Sequence, residues 1–226
     1  NNYFLKLFFA KLYAMEEEDG LLQKQPDGLQ QPFTRKELRC RLYKLLLEKY
    51  GELINDREKR TIGEIKALVN GEDLTILSVL SDLKPEGYSF EKDFPQVAEK
   101  AFKFVTSEIR FVDPEININY WLSPTEIFSA KVADDEDLAV FLCSVFLALG
   151  DKNASILICE LDNLRTHAVV VTELHGAFTI FDPSQKHDFN AFTGLQEEVL
   201  QKYAFNGARI KRFLYKFNSE LYEQFI

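Results

Sequence analysis

Apolar residues recur every three to four positions through about the first two-thirds of the chain, and the last third shifts toward strand-like runs and alternation. Tyr3 to Met15 reads as an amphipathic helix interrupted by Lys6 and Lys11, and Asp19 to Pro32, rich in Gln, Gly and Pro, as a loop. Thr34-Arg-Lys-Glu37 is a capping box, in which the first hydroxyl and the fourth carboxylate satisfy each other's backbone N–H groups. It opens a helix to about Ile54, with Leu38, Leu42, Leu45 and Leu46 as its apolar stripe. A second helix is predicted over about Asp56 to Val69, stopped at Asn70-Gly71. A third, about Asp73 to Leu83, carries Leu74, Leu77, Val79 and Leu80 and ends at Lys84-Pro85-Glu86-Gly87. Phe94 to Phe111 is again helical through Val97, Ala101, Phe104, Val105 and Ile109, and Asp113-Pro114 breaks it. Ser123-Pro124-Thr125-Glu126 is another capping box, with proline at the first helical position.

The strongest helical signal runs from Asp134 to Leu149. Leu138, Phe141, Leu142, Val145, Phe146 and Leu149 nearly wrap it, which predicts a buried helix, and Gly150 ends it. The period then changes. Ala154 to Leu161, Thr166 to Leu174 and Ala177 to Phe181 are strands, the last two joined at His175-Gly176 as a hairpin. Phe189 to Tyr203 reads as helix, Arg209 to Phe217 as strand, and Asn218-Ser219-Glu220 as the start of a helical turn. Helices followed by an antiparallel sheet make an α+β chain: an all-helical N-terminal region over 1–90 and an α+β domain over 91–226.

Charge narrows the partners. The net charge is −9 and the pI about 5.0, so a phosphate-binding surface is not expected and nucleic acid is excluded as a primary partner. The basic residues between Arg35 and Lys44 alternate with apolar ones and read as the wet face of a helix. No apolar run approaches the roughly 20 residues of a membrane span. The three cysteines, Cys40, Cys143 and Cys159, have no paired or metal-binding spacing and read as small buried hydrophobes. That usage fits a reducing, cytoplasmic setting.

The candidate chemistry lies at the start of the buried helix, Asp134-Asp135-Glu136-Asp137, and in two strands, at His167 and Asp182. Asp135 precedes His167 by 32 residues, and His167 precedes Asp182 by 15. The second interval is strand, turn and strand, so it sets the two residues on neighbouring strands. The first is a helix and a strand, enough to return the chain to the helix start. This is the layout by which a helix N-terminus, a histidine and an acid activate a thiol.

Trp121-Leu-Ser-Pro-Thr-Glu126, Lys131-Val-Ala-Asp-Asp-Glu-Asp137, Ala148-Leu149-Gly150, His167-Ala168 and Asp182-Pro183 follow one another in order. The set resembles the transglutaminase-like superfamily, on the papain-like cysteine peptidase fold. That family's pattern is W-x-S/T-P-x-E, then K-x-G-D-C-x-D and an apolar helix, then strands with an H-A pair and a D-P end. The resemblance covers about 63 of 226 residues. It implies a buried helix packed on an antiparallel sheet, with a cysteine–histidine–aspartate triad at the positions of Asp135, His167 and Asp182. Trp121 and Asp134 would line the cleft.

The departure is at the nucleophile. Asp135 stands where the family has cysteine, and Ala133 where it has glycine. A carboxylate does not replace a thiolate in attack on an amide, and beside His167 it favours the imidazolium, the wrong state for a general base. Cys143 lies eight residues further along the helix, about 12 Å away, and does not rescue the site. The expected protein is therefore a catalytically inactive transglutaminase-like domain that binds a protein, a peptide or a small ligand in the former cleft, without cofactor. The alternatives are an active hydrolase or acyltransferase using Asp135 and His167 for acid–base or metal-assisted chemistry, and a structural subunit with the N-terminal helices as interface. A metal on Asp134, Asp135 and His167 lacks a second histidine at ligand spacing. Helix capping alone accounts for the acids at 134 to 137. His175 and His187 are expected to face solvent.

Overall fold

The computed structural model describes residues 34–57, 59–113, 118–174 and 176–225. The expected opening helix, the loop after it and His175 lie outside these residues. Contacts divide the chain into two compact units, 1–59 with 112–120, and 60–111 with 121–226.

In the first unit, α1 (Arg35–Arg57) starts at the Thr34–Glu37 box: Thr34 N–H donates to Glu37 Oε2 and Glu37 N–H to Thr34 Oγ1. The expected leucine stripe is a correction. Leu38, Leu42, Leu45 and Leu46 are 40–62% exposed, and buried Leu47 packs instead with Tyr43, Ile54 and Ile118. The buried side of α1 is set by where Ile118 lies, not by which face has more leucines.

In the second unit, α2 (Ile62–Leu68) is shorter than expected, because Asp56 belongs to α1 and Thr61 forms its own capping box with Glu64. In α3 (Leu74–Leu83), Asp73 caps the N-terminus; Leu74 and Leu77 are exposed, and Ile76 joins Val79 and Leu80 inside. Next come α4 (Phe90–Glu108) and the short strand β1 (Arg110–Phe111), where continuous helix was expected. After these, α5 (Pro124–Ala130) begins at the Ser123–Glu126 box and β2 (Val132–Ala133) pairs in parallel with β1. Buried α6 (Asp135–Ala148) is packed by α3, α4, α5 and the sheet.

The strands are β3 (Ser155–Leu161), β4 (Thr166–Leu174), β5 (Ala177–Phe181), β6 (Thr193–Gly194), β7 (Ala204–Phe205), β8 (Ala208–Phe217) and β9 (Tyr222–Gln224). Their order is β6-β5-β4-β3-β8-β7, antiparallel, with β9 beside β8. Leu157, Cys159, Val169, Val171 and Ile180 pack on one face with Val199 and Tyr203, while Phe181 meets Phe146 of α6 at 5.0 Å. Both faces of β3 and β4 are thus covered, which is why these strands read as almost unbroken apolar runs. The helix α7 (Gln196–Lys202) is only the end of the predicted 189–203 helix, because β6 precedes it; the predicted turn after Phe217 leads into β9. The fold is the expected α+β class, a buried helix on an antiparallel sheet with a helical N-terminal region.

Gly71 acts by close approach. A Cβ there would lie 2.9 Å from the backbone nitrogen of Ala148, and the turn is tied to α6 by Asn70 N–H donating to Ser144 Oγ at 3.0 Å. Gly71→Ala is expected to cost about 1–3 kcal/mol through overpacking. A urea midpoint unchanged from wild type would show that the turn has room.

Candidate functional site

The approach to the site is built locally. Lys131 adopts a left-handed conformation, φ 60°, at the end of α5, and the β1–β2 pair then delivers Asp134 to the start of α6. Asp134 Oδ1 accepts from Asp137 N–H at 3.0 Å, and Asp137 Oδ1 accepts from Leu122 N–H at 2.8 Å. Two acids of the cluster are therefore used in capping and in joining α6 to the segment before α5. Asp134 is buried as this cap. Trp121 is buried with its ring 5.7 Å from Phe217.

Asp135, in the first turn of α6, meets the strands. Its Oδ2 is 2.7 Å from His167 Nδ1 and accepts from Ala168 N–H at 2.9 Å. The other ring nitrogen of His167, Nε2, is 3.1 Å from Asp182 Oδ2. All three residues singled out in the sequence meet, with the histidine between the two acids. Asp182 also accepts from Ser184 N–H and Oγ, from Gln185 Nε2 at 2.7 Å and from Tyr203 Oη at 2.6 Å. Phe205 stacks on the imidazole, with ring centroids 3.9 Å apart.

Protonation follows from donor counting. Ionised carboxylates only accept, and a neutral imidazole has one donor and one acceptor nitrogen. Two hydrogen bonds to two carboxylates therefore require the imidazolium. Burial alone would lower the pKa of His167, but hydrogen bonds to Asp135 and Asp182, together with their charges, outweigh it and push it up to about 9. For Asp182, burial pulls upward, yet hydrogen bonds from His167, Ser184 and Tyr203 and the charge of His167 hold it below the usual carboxylate range. The side chains of His167 and Asp182 are 1% and 0% exposed, and that of Asp135 is 20% exposed. The arrangement holds a proton on a sealed ring and leaves no free lone pair.

Cys159 is paired with His167 across the β3–β4 ladder, a neighbour that the spacing of cysteines did not reveal. Its Sγ donates to the His167 carbonyl at 3.4 Å, and burial, then the Asp135 and Asp182 carboxylates, push the thiol up to about 12. Cys143 is fully buried inside α6, where burial also raises its thiol. Among the described residues no group of three or more His, Cys, Asp or Glu could hold a metal ion.

Ser184, Gln185, Tyr203 and Phe205 were missed from the sequence. The turn signal Asp182-Pro183-Ser184 was legible and could have suggested Ser184. Nothing local connects Tyr203 to Asp182, 21 positions earlier, or Phe205 to His167, earlier still. His187 is a correction: it was expected to face solvent, but it is half-buried, with Nε2 2.9 Å from the Asp182 carbonyl oxygen.

No curated protein matches the chain. Among solved structures, Legionella pneumophila LapG is similar at 17% identity, covering 79% of this chain and 87% of that chain, with a TM-score of 0.48. EGTA-treated Legionella pneumophila LapG is similar at 16% identity, covering 80% of this chain and 86% of that chain, with a TM-score of 0.47. The stretch 119–206, which contains Asp135, His167 and Asp182, matches the family model of the CEP76 peptidase-like domain.

Proposed function

We propose that the chain is a catalytically inactive, peptidase-like protein of transglutaminase-like type that acts by binding a protein or peptide, with Asp135 in the place of the nucleophilic cysteine. The observation that carries this reading is the sealed clamp: His167 lies between two carboxylates, 2.7 Å and 3.1 Å away, and its side chain is 1% exposed. A general base needs an unprotonated nitrogen within reach of the proton it takes. Here both nitrogens are occupied, and the thiol nearest in the ladder is buried and protonated. The same geometry argues against acid–base catalysis by Asp135 and His167.

The binding half of the reading is supported by α1, where Leu38, Leu42, Leu45, Leu46, Tyr50 and Leu53 are all 40–62% exposed. An apolar face of this kind is a feature of interaction surfaces. No helix among the described residues is long and apolar enough to cross a membrane. The buried thiols of Cys143 and Cys159 support a reducing compartment.

The test compares wild type with Asp135→Cys in glutamine-amide hydrolysis, amine incorporation and alkylation by iodoacetamide. Wild type is expected to show no turnover. Asp135→Cys is expected to be alkylated at least about tenfold faster than the wild-type chain at pH 7, because a helix N-terminus and His167 lower the new thiol's pKa. Wild-type turnover that His167→Ala abolishes would sink the proposal.

A further inference from the structure

His187 follows β5 in the same loop as Asp182, and both of its nitrogens face main-chain carbonyls. Nε2 is 2.9 Å from the Asp182 oxygen and Nδ1 is 2.9 Å from the Asp188 oxygen. A carbonyl oxygen only accepts, and a neutral imidazole donates from one nitrogen. Both contacts are hydrogen bonds only when the ring carries two protons. The ring is held beside Phe102 of α4, centroids 5.2 Å apart, and Phe192, 5.1 Å apart.

The charged side chains around it face other partners or solvent. The Asp182 carboxylate is turned to His167, Ser184, Gln185 and Tyr203. Lys186 and Asp188 are exposed in the loop. On α4, Glu99 and Lys103, which flank Phe102, pair with each other at 2.7 Å. Lys202 of α7 lies 6.0 Å from the Phe192 ring and donates to the Ala191 carbonyl at 2.7 Å.

We propose that His187 is a positioning residue for Asp182: its imidazolium ties the Asp182 carbonyl to Asp188 and holds the turn from which Asp182 aims its carboxylate at His167. Loss of one proton releases one of the two ties. The clamp is thereby gripped from both sides, its carboxylate by one histidine and its main chain by another. The proposal rests on the clamp's geometry and holds whether or not the site turns over substrate.

The test is NMR on the full chain at one fixed pH, following the His167 ring and the Ser184 and Gln185 amides. Gln185 N–H points at the Asp182 carbonyl oxygen at 3.5 Å and so reports on the turn. In His187→Gln, which has a single donor group, the Ser184 amide and the His167 ring signals are expected to shift, and the Gln185 amide to exchange about fivefold faster than in wild type, the equivalent of one ordinary hydrogen bond. His187→Asn, shorter and with the same single donor group, is expected to do the same. His187→Arg presents several donors and stacks on rings, and is expected to restore slow exchange. Gln185 exchange equal to wild type in the folded Gln or Asn variant, or His167 and Ser184 signals that neither variant moves, overturns the proposal.

Discussion

His167→Ala is expected to lower the unfolding free energy by about 3–5 kcal/mol, the cost of breaking a buried ion pair from one side. The substitution leaves the Asp182 carboxylate, fully buried, without its counter-charge, and empties the space beneath the Phe205 ring. Asp135 loses little by comparison, because its side chain is 20% exposed and can turn to water. Asp182 retains Ser184, Gln185 and Tyr203 as donors, so the protein is expected to fold and the loss to be measurable by urea titration. A change below about 1 kcal/mol, the range of exposed ion pairs, would show that the clamp contributes no more than a surface pair. The apolar variant His167→Ala/Asp182→Ala separates the two parts. If the unpaired carboxylate is the main cost, the double variant recovers part of the loss.

Unfolding stability is expected to fall by about 3 kcal/mol as pH rises from roughly 6.5 to 9. His167 titrates at about 9 in the folded protein, against an ordinary value of 6.5. A group whose folded pKa is raised contributes its full stabilisation below the unfolded pKa and loses it as pH climbs through the folded one. Asp182, held low, acts in the opposite direction: its contribution is present above the ordinary carboxylate range and is lost on acidification. Together they set a plateau between about pH 4 and 6.5. The two shifts describe one interaction and do not add. Chemical denaturation at steps across this range measures the slope, and the same series on His167→Ala should flatten between 6.5 and 9. A wild-type slope that survives in that variant would assign the pH dependence to another group.

Much of the helical framework was legible in short stretches. The boxes at Thr34–Glu37 and Ser123–Glu126, the cap at Asp134 and the buried helix after it are all present. Each is a contact within three or four residues, and such contacts depend on residue type and spacing. The failures came where packing chooses between faces that the chain makes equally available. The α1 leucines line up as a core stripe, yet Leu47 is the one that is buried, with Tyr43, Ile54 and Ile118 packed against it. The predicted helix over 189–203 gives way to β6, because Phe178 and Thr179 of β5 take Gly194 and Thr193 as ladder partners.

The candidate site divides in the same way. By itself the sequence determined the order Asp135, His167, Asp182 and placed them on a helix start and two neighbouring strands. It also predicted, from residue chemistry alone, that Asp135 would favour the imidazolium. Only the tertiary structure decided that both ring nitrogens are taken and that Tyr203, Gln185 and Ser184 complete the shell around Asp182. It also turned His187 from the solvent to the Asp182 carbonyl. The reason is physical: caps and periods are short-range preferences of the chain. A buried proton's position depends on desolvation and on partners brought from residues 135 to 205, which exist only once the sheet has closed around them.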